Sequence, residues 1–248
     1  MLWGSFGIVH LISLAVSAGM IFGLYFLLKA LPEKVRHWSL FALSLAGISA
    51  IIFNLVAWGS PLEYLPFHMC SITAMLLPVE VLTRNKYIGN LLLVWCLGAI
   101  LALVMNQIQA NYVIPSATFF FYYIPHTLEF AVTIYLFKFG YVKKDYKCIP
   151  ITVGLTVVIY TLVHLINVGL NHYYEVNQIL DSYGEVIRSN YMFSMDPSGN
   201  PVFDLFYKII PYDYWYMYGA VVILVVYLVA LYLPQILRAV KEKRSANQ

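Results

Sequence analysis

The stretch that decides the fold class is FGIVHLISLAVSAGMIFGLYFLLKAL, residues 6–31. Its only charged residue, Lys29, stands near its end. A run of about 20 apolar residues is long enough to cross the hydrocarbon core of a membrane as a helix. Since no basic segment precedes it and no small-residue cleavage site follows, the pattern favours a retained first span over a signal peptide.

The rest of the chain has the same character. Of its 248 residues, 61% are hydrophobic and 11% are charged, whereas soluble domains carry roughly 25% charged residues. The composition therefore predicts an all-α polytopic membrane protein, one domain over residues 1–248, with seven transmembrane helices. The predicted spans are roughly 5–30, 38–58, 65–83, 87–107, 117–139, 149–170 and 214–236.

Basic residues lie on alternate loops. Arg84 and Lys86 follow the third span, Lys143 and Lys144 follow the fifth, and the loop after the first span and the tail are basic as well. Because cytoplasmic loops carry the excess of Lys and Arg, this pattern places the N-terminus outside and the C-terminus in the cytoplasm. We expect the membrane to be a bacterial plasma membrane.

Polar side chains fall inside the apolar spans, mostly toward the predicted outer side. They are His10, Asn54, His68, Cys70, Asn106, His126, Glu129, His164 and Asn167. Such groups are costly in hydrocarbon, so their convergence at one depth predicts a site. For any one of them, hydrogen bonding between helices is the alternative interpretation. Glu80 and Cys96 lie deeper and are left outside the predicted site.

This polar layer is compatible with three kinds of chemistry. A thiol becomes a nucleophile when a histidine takes its proton, so Cys70 with His126 or His68 predicts an acyl-enzyme acting on a lipid ester. Several histidines with a carboxylate or thiol are also typical of a zinc hydrolase. A membrane carrier or solute-binding protein would use the same layer as a substrate site.

Two local features need a structure to decide them. Residues two apart point to nearly opposite helix faces, so His68 and Cys70 both reach one site only if the helix after Pro66 starts irregularly; we expect the irregularity to extend to Cys70. The segment 171–213 is long, acidic and aromatic, which is compatible with a lid or with an anchor at the membrane interface.

Four short motifs resemble those of the YwaF-like family, which includes transmembrane protein 164 of eukaryotes. They are LPFHMC at 65–70, IPHTLEF at 124–130, SNYMFSMDP at 189–197 and PYDYWY at 211–216. The stretch from Asn167 to Asn171 resembles the same family. The resemblance implies a seven-span fold. It also implies acyl transfer between phospholipids, since the eukaryotic relatives are described as acyltransferases, with Cys70 and His126 as the central pair. Residues of about 172–188 look like an insert relative to that pattern.

The sequence thus predicts an integral membrane acyltransferase or lipid hydrolase. Cys70 is the predicted nucleophile and His126 the general base. The predicted binding or orienting residues are His68, Glu129, His164, Asn167, Asn54, Asn106 and His10. The predicted partner is a membrane lipid as substrate, with no nucleic acid, no metal and no cofactor, and the sequence assigns no oligomeric state.

Overall fold

The protein is all-α in a computed structural model that describes residues 6–57, 62, 64–105, 114–181 and 183–246. The helices within these ranges are α1 (Ile8–Ala30), α2 (Glu33–Ser44), α3 (Ala46–Ala57), α4 (Met69–Thr83), α5 (Lys86–Met105), α6 (Ala117–Lys138), α7 (Ile149–Asn177), α8 (Pro201–Ile209) and α9 (Tyr218–Ala246). Single turns of 3₁₀ helix precede α7 and α9 and interrupt the segment before α8.

Five helical stretches in the described residues are long and apolar enough to cross a membrane. They are Ile8–Ala30, Glu33–Ala57, Lys86–Met105, Tyr146–Asn177 and Trp215–Ser245. The helix α4 is apolar but shorter, and α6 has the length but is less apolar because it carries His126 and Glu129. The prediction of an all-α polytopic membrane protein is confirmed, and within the described residues each predicted span overlaps a helix.

The helix boundaries differ from the predicted ones in several places. The helix α4 begins at Met69, four residues later than predicted, and α9 continues to Ala246, ten residues beyond the predicted end. The second span is broken at Leu45 into α2 and α3, where the hydroxyl of Ser44 donates to the Phe41 carbonyl at 2.6 Å. A serine bonded to a carbonyl of its own helix competes with the backbone and bends the helix. The sixth span continues to Asn177, two turns beyond the predicted end.

The first compact unit contains α1 to α6 and spans Met1–Val142 with Leu180–Glu185. Within it, α5 packs against α4 and α6, and α3 packs against α6. Apolar side chains at its basic end form the larger core: Leu28, Leu40, Leu77, Val81, Leu92, Val132, Tyr135 and Leu136. A smaller cluster of Leu103, Phe119 and Tyr123 forms the core near its other end.

The second compact unit contains α7, α8 and α9 and spans Lys143–Ile179 with Val186–Gln248. The helices α7 and α9 pack together. The side chain of Gln235 on α9 accepts from the Tyr146 N–H at 3.1 Å and donates to the Lys144 carbonyl at 2.9 Å, so it caps the approach to α7. The short helix α8 begins at an Asn200 cap whose oxygen accepts from the Val202 and Phe203 N–H groups.

Candidate functional site

The start of α4 determines where His68 and Cys70 can point. The helix begins at Met69, and His68 is its N-cap with extended backbone angles (φ −69°, ψ 151°). The irregularity that was expected to extend to Cys70 therefore ends at His68, and Cys70 lies in regular helix. Since His68 precedes the first helical turn, the rule that residues two apart face opposite sides of a helix does not separate the pair.

The imidazole of His126, in α6, is oriented by its own helix. Its Nδ1 lies 2.7 Å from the carbonyl oxygen of Tyr122, one turn earlier. A carbonyl only accepts, so Nδ1 carries the proton and the Nε2 lone pair is left to act as a base. The neighbouring imidazole is that of His68, with which it interacts electrostatically.

Glu129 lies three residues after His126, on the same face of α6. Its side chain is 4% exposed, and its Oε2 atom has no hydrogen-bond partner among the described residues. The carboxyl interacts electrostatically with the thiols of Cys70 and Cys96. A buried carboxyl without a partner is costly, so a site of this kind calls for a functional explanation.

A glycine in α3 makes room for this carboxyl. A Cβ atom added at Gly47 would lie 2.4 Å from the Ala74 Cβ and 2.9 Å from Oε1 of Glu129. The absence of a side chain at Gly47 therefore lets α3, α4 and α6 approach closely around Glu129. The Glu129 carboxyl therefore lies close to Ala74 in α4, the helix that contains Cys70.

Asn54 reaches the same region through a residue that the sequence did not single out. The hydroxyl of Tyr64 lies 3.5 Å from Oγ of Ser71 and also interacts with the side chain of Asn54. Burial, followed by the neighbouring Cys70, raises the pKa of Tyr64 to about 12, so the phenol is neutral and can donate. Its place one residue before the LPFHMC motif was the available signal in the sequence.

His10 has a packing role in the structure. Its Nε2 lies 2.7 Å from the Leu103 carbonyl in α5, and its Nδ1 accepts from the Phe6 N–H at 2.8 Å. Both ring nitrogens are thus engaged, and the side chain is fully buried. Two turns further along α1, the hydroxyl of Ser17 is hydrogen-bonded to the hydroxyl of Thr127 at 2.9 Å. This bond joins α1 to α6.

The predicted pairing of Cys70 with His126 stays a prediction. In the described part of the chain no hydrogen bond joins the Cys70 thiol to His126; Cys70 is half-buried and is associated with Glu129. Cys96 is fully buried and its thiol donates to the Leu93 carbonyl at 3.4 Å. Asn106 lies outside the described residues.

His164 and Asn167 lie in the second unit, on α7. The amide of Asn167 accepts from the Tyr191 N–H at 3.1 Å and donates to the Tyr191 carbonyl at 2.9 Å. One turn later, Asn171 pairs in the same two-bond manner with the backbone of Ser189. Two asparagines four residues apart thus hold an extended piece of the SNYMF segment against the helix.

Ser194 is the residue of this second cluster that the sequence analysis missed. Its buried hydroxyl accepts from the Asn167 amide at 2.8 Å and lies 3.1 Å from Nδ1 of His164. The His164 ring also packs against Tyr214, with centroids 4.9 Å apart. The motif SNYMFSMDP contained the serine, but only the fold shows that it faces α7.

The zinc alternative has no ligand set in the residues that the structure describes. Within them, no group of three or more His, Cys, Asp or Glu side chains is arranged to hold a metal ion. His68 and His126 are neighbours, but His164 belongs to the second unit and is engaged by Ser194.

Comparison with known proteins gives one result at the level of the family. The family model described as TMEM164 family matches residues 5–232 of the chain. No curated protein and no solved structure matches it. The match covers the four motifs and extends over most of each compact unit.

Proposed function

This chain belongs to the TMEM164 family, and from that premise we propose that it transfers fatty acyl groups between membrane lipids through Cys70. The observation that carries the proposal is the grouping of side chains from α4 and α6. A Cβ atom at Gly47 would lie 2.4 Å from the Ala74 Cβ, one turn after Cys70 in α4, and 2.9 Å from Oε1 of Glu129, one turn after His126 in α6.

In the first half-reaction the Cys70 sulfur attacks the carbonyl carbon of a lipid ester. The thiol proton passes to Nε2 of His126, which the Nδ1–H bond to Tyr122 leaves as the basic nitrogen. The ester C–O bond then breaks, and the departing alkoxide takes the proton back from the imidazolium. The products are an acyl thioester on Cys70 and a lysolipid hydroxyl.

In the second half-reaction the hydroxyl of an acceptor lysolipid attacks the thioester carbon. Its proton goes to His126 and then to the departing sulfur, which regenerates the thiol. Water in place of the lysolipid gives a free fatty acid, so the same residues account for a hydrolase. The exclusion of water from the acyl-enzyme is therefore what separates the two activities.

Glu129 and His68 are positioning residues in this scheme. Glu129 shares a helix face with His126, and a carboxylate that approaches the imidazole stabilises the imidazolium that forms when the thiol loses its proton. Glu129 lies one turn from His126 in α6, and its buried Oε2 has no partner within the described residues. The hydrogen-bonded chain of Asn54, Tyr64 and Ser71 steadies the start of α4 that carries the thiol.

The test is covalent capture of the acyl group. Full-length protein in lipid nanodiscs is incubated with a phosphatidylcholine that carries an alkyne-tagged acyl chain, and the tag on each cysteine is measured by mass spectrometry before and after hydroxylamine. We expect a hydroxylamine-sensitive tag on Cys70 that is lost in Cys70→Ala and lowered by about 10²–10⁴-fold in rate in His126→Ala.

The matched controls are the other two cysteines, since Cys96 and Cys148 are both buried. Cys96→Ala and Cys148→Ala should label as the wild type does. Labelling that persists in Cys70→Ala, or that is equal in His126→Ala and the wild type, overturns the proposal. Glu129→Gln should slow labelling while leaving lipid binding unchanged, which distinguishes a positioning role from a substrate contact.

A further inference from the structure

The basic end of the first unit holds two arginines on one tyrosine. The guanidinium carbon of Arg84 lies 4.5 Å from the centre of the Tyr141 ring. That of Arg36 lies 6.0 Å from the same ring and 4.8 Å from the ring of Phe139. The Nε of Arg36 also donates to the Tyr141 hydroxyl at 3.5 Å.

The tyrosine is held in place by the end of α6. Gly140 adopts a positive φ of 77°, which a residue with a side chain rarely does. The chain then turns back so that the N–H groups of Tyr141 and Val142 both bond to the Leu136 carbonyl, at 2.9 and 3.2 Å. This is the usual glycine-terminated end of a helix, and it fixes the ring on which the arginines stack.

Arg84 has a backbone conformation that is unfavourable for arginine. It is the C-cap of α4 with φ 52° and ψ 39°, the left-handed conformation that glycine or asparagine adopts at a lower free-energy cost. When a strained position holds a residue other than the glycine that would relieve the strain, a function for that side chain can be inferred. The strain places an exposed guanidinium over Tyr141.

Neither guanidinium has a carboxylate partner among the described residues. Glu33 contributes only its backbone carbonyl, to the Tyr141 hydroxyl, and Glu80 is fully buried with both carboxyl oxygens unbonded. Stacking on a ring uses the flat face of a guanidinium. The N–H groups at the edge of Arg84, and the terminal NH₂ groups of Arg36, whose Nε donates to the Tyr141 hydroxyl, can then bind a planar or tetrahedral anion.

We propose that Arg36 and Arg84, seated on Tyr141, form a site for the phosphate group of an anionic phospholipid. Lys34 and Lys86 each stand two residues from one of the arginines in the sequence, and Lys138 is the last residue of α6. Trp38 and Tyr87, near the arginines in the sequence, are 53% and 43% exposed. Exposed Trp and Tyr side chains prefer the headgroup level of a membrane, so the guanidinium groups lie where lipid phosphates are found.

The proposal is separate from acyl transfer, because the residues lie at the basic, predicted cytoplasmic end of the unit. It is tested by binding of fluorescent phosphatidate to the detergent-solubilised full chain, with fluorescent phosphatidylcholine as the neutral comparison. Replacing Arg36 and Arg84 by Gln should lower phosphatidate affinity by on the order of tenfold per guanidinium.

The matched control removes the same charge from two lysines that do not stack on an aromatic ring within the described residues. In Lys34→Gln with Lys138→Gln, phosphatidate affinity should fall by less than about threefold, as expected for general attraction to a surface. Equal losses in the two double variants would show diffuse attraction and overturn the site. No loss in the arginine variant would do the same.

A single variant separates binding from folding. Arg84→Gly removes the guanidinium and relieves the left-handed strain, so thermal stability should be equal to or above that of the wild type while phosphatidate affinity falls. Retained affinity would contradict the proposal. If inorganic phosphate displaces the lipid at equal concentration, the site takes free phosphate and the assignment to a lipid headgroup is wrong.

Discussion

Gly47 offers the sharpest test of how the first unit is packed. In Gly47→Ala the new methyl would lie 2.4 Å from the Ala74 Cβ, whereas ordinary contact begins at 3.4 Å. The helices α3 and α4 must then separate by about 1 Å, and the neighbours of the methyl include Oε1 of Glu129 at 2.9 Å. Extra atoms in a packed core cost about 1–3 kcal/mol.

The helical preference of alanine offsets part of this cost. Replacing glycine by alanine within a helix stabilises by roughly 0.5–1 kcal/mol, so the net loss in the free energy of unfolding is about 0–2.5 kcal/mol. For a chain of this size, each kcal/mol lowers the melting temperature by roughly 2–4 °C. The assay is thermal unfolding in detergent, followed by tryptophan fluorescence.

The control is Gly19→Ala in α1, where an added Cβ meets nothing within 4 Å. That variant should be as stable as the wild type or more so. Adding Ala74→Gly to Gly47→Ala removes the closest clash and should recover part of the loss. If Gly47→Ala melts with or above Gly19→Ala, the close approach of α3 and α4 is wrong, and with it the route by which Glu129 reaches the Cys70 helix.

Two further contacts give measurable outcomes. Asn167→Leu removes the two amide bonds to the Tyr191 N–H and carbonyl, at about 1 kcal/mol or more for each bond, so chymotrypsin should cleave within 189–200 faster than in the wild type. In Asn177→Ala, which loses only a bond to the Tyr173 carbonyl of its own helix, the cleavage rate should not change. Equal cleavage rates in both variants would show that Asn167 does not hold the 189–200 segment against α7. Ser17→Ala breaks the hydroxyl bond to Thr127 between α1 and α6 and should lower the free energy of unfolding by about 0.6–1.7 kcal/mol. A melting temperature within 1 °C of the wild type, taken as roughly the detection limit, would show that this bond contributes nothing.

The polar residues show how far a pattern of residue types can reach. The residue pattern selected six polar residues that the structure describes in the first compact unit: His10, Asn54, His68, Cys70, His126 and Glu129. The hydrogen bonds in the structure separate those that serve packing from those that can serve the proposed site. His10 is engaged in packing by Leu103 and Phe6, whereas Oε2 of Glu129 has no hydrogen-bond partner among the described residues and belongs to the proposed site. Hydrogen-bond partners far apart in sequence decide this division, and residue types alone do not contain them.

The helix boundaries show a similar limit. Hydropathy placed a helix in every span, but it did not predict the break at Leu45 or the extension of α7 to Asn177. A side-chain bond to the backbone accompanies each, from Ser44 to Phe41 at the break and from Asn171 to Ser189 in the extension. These energies of about 1 kcal/mol are small beside the hydrophobic pattern that hydropathy measures.

The sequence by itself determined that this is an all-α membrane protein of the TMEM164 family, because helices must bury their backbone polar groups in lipid and therefore need long apolar runs. The motifs that contain Cys70 and His126 could also be recognised from the sequence, because each is a short run of consecutive residues. Only the tertiary structure decided that Gly47 admits the Glu129 carboxyl, that Ser194 faces α7, and that Arg36 and Arg84 share Tyr141. Each of these rests on close approach between segments far apart in the chain, and a linear sequence does not record such distances.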